Sequence, residues 1–220
     1  MKRFIKIPTT IIDLDLSPLQ LLVYASIVSL KSKNNYTIAT AATIAKRAGI
    51  SENSVYSALK PLQDVGAISI TKHFHNGKKA SNSYRIAPIG GKFIRIEYAI
   101  LDSGLTPSEF AAYAAIKSRC NHRRRSFPSL RQIANMAHIC LDTVIKAIKS
   151  LCTMGFIVCT RFVRKCGCFG HNNYIVFDAA VPQEITTVQT SKRTTLTDKL
   201  RAAASGLAAS VFLFKQGDSK

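Results

Sequence analysis

Residues 40–72 read TAATIAKRAGISENSVYSALKPLQDVGAISITK, and residues 129–161 read SLRQIANMAHICLDTVIKAIKSLCTMGFIVCTR. Each stretch holds two helical patterns joined by a tight turn. The turn is Ala48-Gly49-Ile50-Ser51 in the first and Ala137-His138-Ile139-Cys140 in the second. The leading helix begins near Thr40 or Ser129 and carries Ile44-Ala45 or Ile133-Ala134. The following helix runs from about Ser51 to Asp64, or from about Leu141 to Thr153. Gly66 and Gly155 stop it in the manner of a C-terminal glycine. A strand-like run then follows, AISITKHF or FIVCTRFV, and after a turn a returning one, SYRIAP or NYIVFD.

Working outward, the likeness between the two stretches extends upstream. An offset of 89 residues aligns Phe4–Lys72 with Phe93–Arg161 without a gap, and 22 of the 69 positions are identical. A period of that length is too long for a solenoid unit and suits a duplicated small domain. Each copy opens with a β-like run, FIKIP or FIRIE. Ser17-Pro18 or Thr106-Pro107 then supplies an N-cap followed by proline at the first helical position. Leu19, Leu22, Val23, Ser26, Ile27 and Leu30 form a helical apolar stripe, and a polar break, KSKNNY or CNHRRR, ends that helix. Helix, helix, turn, helix and a two-stranded ribbon make a winged-helix domain. The expected fold is therefore α+β and mainly helical, with two tandem winged-helix domains, 1–88 and 89–180. A polar linker over 181–195 leads to a C-terminal helix and tail over 196–220, the helix capped by Thr197. Gly90-Gly91-Lys92 lacks phosphate-loop spacing and reads as the interdomain turn, short enough to keep the domains packed or closely tethered.

The pattern resembles bacterial winged-helix proteins. There a small residue closes the turn, an apolar residue precedes the third helix, and glycine with a β-branched residue follows it. Ala48, Ile50, Val55, Leu59, Leu62, Gly66 and Ile68 fill those places. Ala137, Ile139, Val144, Ile148, Leu151, Gly155 and Ile157 fill them again. His138 departs from the pattern where the first copy has Gly49. Two such domains in tandem resemble the replication initiators of plasmids and phages and related helix-turn-helix proteins of mobile elements. The resemblance implies sequence-specific binding of double-stranded DNA, at an origin or, as the alternative, as a transcriptional regulator of such an element.

Charge points the same way. Lys and Arg number 31 against 12 Asp and Glu, a net charge of +19, while 47% of residues are hydrophobic. Uncompensated charge of that size costs self-repulsion unless a polyanion is the partner. Pro8, Asp13 and Asp15 interrupt any secretory apolar core. The longest apolar stretches, Leu19–Leu30 and Ala202–Phe214, fall short of the ~20 residues that span a bilayer. The six cysteines, all after residue 119, have no disulfide-framework spacing, so free thiols in the cytoplasm, on nucleoid or plasmid DNA, is the expectation.

The third helix of each copy is the candidate for the major groove. With Val55, Leu59 and Leu62 facing the core, Ser51, Glu52, Asn53, Ser54, Tyr56, Ser57 and Lys60 remain outside. Asn53 can pair with adenine through two hydrogen bonds. Ser51 and Ser54 suit phosphate at the helix start, although Ser51 equally fits an N-cap. Glu52 suits first-turn dipole compensation or a cytosine amine. The corresponding positions of the second copy are Cys140, Asp142, Thr143, Lys146 and Lys149, the two lysines falling on one face. Basic clusters add Lys31 and Lys33, then Arg119, His122, Arg123, Arg124 and Arg125. The wings add Lys72, Lys78, Lys79, Arg161, Arg164 and Lys165. Solubility alone would intersperse acids, and residues 119–125 contain none.

Cys159, Cys166, Cys168 and His171 have thiolate and imidazole chemistry, but CxC is not the usual zinc spacing and the first wing has no cysteine. No metal and no cofactor are expected. Cys140 and Cys152 read as small, partly buried residues. The histidines, His73, His75, His122, His138 and His171, lack a paired nucleophile, so an enzyme is not expected. Leu200, Leu207, Val211 and Phe214 give the last helix an apolar face. That face packs on the second domain, pairs with a second copy, or docks on a replication partner; a membrane is disfavoured. A protein-interaction adaptor is the alternative of a different class. RNA binding is also open, though neither copy offers an aromatic stacking platform.

Overall fold

The computed structural model describes residues 4–32, 35–75, 78–79, 81–88, 91–163 and 169–180. The chain divides into the units Met1–Val181 and Pro182–Lys220. The second unit, with the expected linker and C-terminal helix, lies outside the described residues.

In the first half, β1 (Phe4–Pro8) and the short α1 (Thr9–Ile12) precede α2 (Pro18–Ser29). β2 (Tyr36–Ala39), α3 (Ala41–Ala48), α4 (Glu52–Asp64) and β3 (Ile68–Thr71) follow. A small hairpin of β4 (Phe74–His75) and β5 (Lys78–Lys79) leads to β6 (Asn82–Ile86). The second half repeats the order. It runs β7 (Phe93–Glu97), α5 (Tyr98–Asp102), α6 (Pro107–Ser118), β8 (Arg125–Ser126), α7 (Leu130–Ala137), α8 (Leu141–Thr153), β9 (Ile157–Val163) and β10 (Phe169–Val176). Two tandem winged-helix domains are thus present, each α+β.

The helix starts follow from the sequence. Ser17 accepts from the Gln20 amide while the Gln20 side chain accepts from the Ser17 amide, and Thr106 with Glu109 and Ser129 with Gln132 repeat the device. Such caps contribute about 0.5–2 kcal/mol each. Gly66 and Gly155 adopt φ of 70° and 75° just past α4 and α8, where a side chain would be strained.

Two expectations need correction. The ribbon is not two-stranded: β2 joins β6 and β3 in the order β2-β6-β3, and β8 joins β10 and β9 in the order β8-β10-β9. These added strands are four and two residues long and follow polar loops, so no apolar run announced them. The apolar stripe on α2 is also too narrow. Every residue of Leu21–Ser29 is buried, as is every residue of Phe110–Ile116 on α6. A helix apolar on all sides is a core helix. Here α2 packs on β1, α3 and α4 of its own half and on α6 of the other.

The halves are joined a second time by their first strands. β1 and β7 pair antiparallel, with Lys6 opposite Arg95, Ile5 opposite Ile96 and Ile7 opposite Ile94. The four isoleucines are buried and form one continuous core with both helix sets. On the outer face Lys6 Nζ lies 4.7 Å from the Phe93 ring centre, and Arg95 Cζ lies 5.1 Å from that of Phe4. At the other seam Arg47 pairs with Asp102 and stacks on Tyr98, 4.8 Å from the ring centre. Among the described residues no helix is long and apolar enough to cross a membrane.

Candidate nucleic-acid interface

The face of α4 opposite Val55, Ala58, Leu59 and Leu62 carries the chemistry. Those four are buried against the half's own core, which leaves Glu52, Asn53, Tyr56, Ser57 and Lys60 exposed. Tyr56 is 55% exposed, a large aromatic that nothing in the fold requires outside. Ser51 is the N-cap: its hydroxyl accepts from the Ser54 amide at 3.2 Å and lies 2.9 Å from the Ser54 hydroxyl. The α4 N-terminus therefore satisfies part of its own orphan N–H set.

Beside α4 runs a groove of about 1010 Å³, lined by Glu52, Tyr56, Lys60 and Gln63 on one side and by Thr71, Lys72 and His73 on the other. It is the space between third helix and wing. Tyr56, Lys60 and Lys72 thus share one concave surface, while Asn53 and Ser57 are exposed on the same helix outside its lining. Lys78 and Lys79 form β5, paired with β4 in the same wing.

In the second half Asp142, Lys146 and Lys149 are exposed on α8, and Thr143 is half-buried. Leu141 and Ile145 also stand outside, 40% and 38% exposed. Sequence reasoning passed over both. The repeat offset pairs Ile145 with Tyr56, a residue already placed outside by its spacing, so the signal was present. Cys140 is exposed rather than partly buried, because it occupies the N-cap position of α8. Its sulfur lies 3.0 Å from the Thr143 hydroxyl, and hydrogen bonding to Thr143 holds the thiol below its ordinary pKa. Cys152 is half-buried, and burial pushes its thiol up. The backbone of Arg161 lies in β9, while Arg164, Lys165, Cys166 and Cys168 lie outside the described residues.

The arginine cluster stands at the opposite end of its sheet from the wing tip. Arg123, Arg124 and Arg125 occupy a turn whose amides at 123 and 125 donate to the Asn121 side chain. Arg125 pairs with Ile175 near the end of β10, about six residues, roughly 20 Å, from the Val163–Phe169 pair at the wing end. Arg124 adopts a φ of 59°, and its guanidinium lies 3.3 Å from Asp178, which also pairs with Lys117. A cavity of about 540 Å³ beside it is lined by Lys92, Arg95, Lys117 and Arg124. Burial, and after it repulsion from Lys6, holds the Lys31 ammonium below its ordinary pKa.

Two segments of the chain, 14–68 and 103–157, match one family model, described as a helix-turn-helix domain. The segments start and end at the same offset of 89 residues and together cover half of the chain. Neither includes β1, β7 or the outer wing strands. No curated protein matches the chain.

Proposed function

The chain belongs to the helix-turn-helix domain family, and from that premise we propose that it binds a specific double-stranded DNA site, without catalysis, as the origin-binding replication protein of a plasmid, phage or other mobile element. Helix-turn-helix domains support DNA as the partner. The observation that carries the reading is the concave surface between α4 and its wing, lined by Tyr56, Lys60 and Lys72, in a chain of net charge +19. A helix of that kind fits a major groove, with its outer side chains at the base edges and the basic wing along the phosphates. Asn53 has the adenine-pairing amide, Tyr56 and Ile145 have apolar surface for thymine methyls, and Lys60, Lys72, Lys146 and Lys149 supply phosphate charge.

A salt series with random duplex tests the binding reading. Six to ten phosphate contacts lower affinity by about 10³ to 10⁵ between 50 and 200 mM salt. A flat response overturns it. The replication reading is tested separately, by asking whether the gene with its selected site sustains an otherwise origin-less vector. Transcription from a promoter carrying that site, altered without replication, would favour the regulator reading instead.

A further inference from the structure

Three sets of contacts between the halves are reciprocal, and a fourth joins corresponding regions through different residues. In β1·β7 the central pair is Lys6 with Arg95, and these two are each other's counterparts at the 89-residue offset. The same holds outward: Ile5 meets Ile96, the counterpart of Ile7, and Ile7 meets Ile94, the counterpart of Ile5. Lys6 stacks on Phe93 while Arg95 stacks on Phe4, again with counterparts exchanged. The helices packed across the seam, α2 and α6, are also counterparts. Finally, the end of α3 meets the end of α5 through Arg47 and Asp102. In return, the end of α7 meets the chain just after α1: His138 Nδ1 is 2.9 Å from Asp15, and Nε2 is 3.2 Å from the Leu14 carbonyl. Contact of i with j matched by j with i is the mark of a two-fold interface.

From these contacts we infer that one chain reads DNA as a fused dimer, through two half-sites in inverted orientation whose base sequences differ. The inference rests on the DNA-binding reading. A two-fold turns the second recognition helix end for end relative to the first, and duplex DNA has a matching dyad, so the half-sites oppose each other. Domains related by a translation would instead read direct repeats, and flexibly tethered ones would fix no orientation. The half-sites differ because the exposed faces differ. Glu52, Asn53, Tyr56 and Ser57 have as counterparts Leu141, Asp142, Ile145 and Lys146. The natural site therefore hides its symmetry, since the inverted frame is occupied by two unlike sequences.

Making the two faces alike exposes the frame. Leu141→Glu, Asp142→Asn, Ile145→Tyr and Lys146→Ser, combined in the full chain, copy the first face onto α8 at four exposed positions. Site selection from a random duplex library is then run on the natural and the combined variant chains. The expected outcome is that the variant enriches an inverted repeat of one half-site. It should prefer that repeat over a direct repeat of the same half-sites by about tenfold or more. The reciprocal set, Glu52→Leu, Asn53→Asp, Tyr56→Ile and Ser57→Lys, should enrich an inverted repeat of the other half-site. Direct repeats, or a lone half-site, overturn the two-fold reading while leaving DNA binding in place. Loss of enrichment by both variants while the natural chain selects a site overturns it too. Failure of the natural chain to retain any duplex overturns the DNA-binding reading itself.

Discussion

Val55, Ala58, Leu59 and Leu62 of α4 and Val144, Ala147, Ile148 and Leu151 of α8 are buried at matching positions. On the opposite side of the same helices Glu52, Asn53, Tyr56 and Ser57 have unlike counterparts, all exposed. One side of each helix is held by packing, where a lost methylene is felt. The other is held only by what it meets in solution. The contrast separates what this duplication needs in order to fold from what it uses in order to discriminate.

The largest effect should come from breaking the shared side. Leu62→Ala and Leu151→Ala each empty a fully buried position and should cost about 2–5 kcal/mol, read as a lower denaturant midpoint. Because one core runs through both halves, either change should lower a single shared transition. Two separated transitions would break the picture of one cooperative unit. The exposed side should respond in binding and not in stability. Asn53→Ala should lose about 1–3 kcal/mol of preference for the selected site over its single-base variants. Lys149→Ala should weaken all duplexes alike and reduce the salt slope by about one. Competition titrations at several salt concentrations distinguish the two.

A third comparison lies within the core. Tyr24 and Tyr113 are counterparts and both are fully buried. The Tyr113 hydroxyl donates to the Phe177 carbonyl at 3.0 Å, whereas the Tyr24 hydroxyl has no partner among the described residues. Burial pushes the Tyr24 pKa up to about 12. Tyr113→Phe should therefore cost about 1 kcal/mol, and Tyr24→Phe should be neutral or stabilising, as read from unfolding midpoints. Equal losses would mean that the Tyr24 hydroxyl is satisfied.

The domain type was legible because it is written twice in local patterns: caps at Ser17 and Thr106, turn residues at Ala48 and Ala137, glycine stops at Gly66 and Gly155. The outer face of α4 was legible for the same reason, by subtraction of the apolar side. What the sequence hid is non-local. FIKIP and FIRIE read as strands, but nothing in either names the other as its partner, since the side-chain period sets which face of a strand is buried and not which strand lies beside it. Two traces of the seam were present: the short turn at Gly90-Gly91-Lys92, and the composition of α2 and α6, apolar on the sides that a lone winged-helix domain would leave to water. Leu141 and Ile145 were passed over because large apolar side chains on an amphipathic helix read as core. Their exposure becomes visible only when the counterpart Tyr56 is set beside Ile145.

The smallest expected effect sharpens the comparison at the turn itself. Gly49 ends α3 with a φ of 66°, and its counterpart His138 ends α7 with a φ of 50°, so both residues are left-handed. A Cβ on Gly49 would meet nothing within 4 Å, so Gly49→Ala costs only backbone strain, offset in part by lower freedom of the unfolded chain. The net loss should be about 1 kcal/mol. His138→Gly relieves strain of the same size. It also removes the contacts to Asp15 and Leu14, and an exposed polar contact contributes about 0–1 kcal/mol. With the added freedom of glycine in the unfolded chain, the terms nearly cancel, and the melting temperature should move little. A marked destabilisation by His138→Gly, at unchanged Gly49→Ala, would mean that the histidine is a principal tie between the halves. The β1·β7 pairing and the α2·α6 packing would then hold the two-fold frame less firmly than their burial implies.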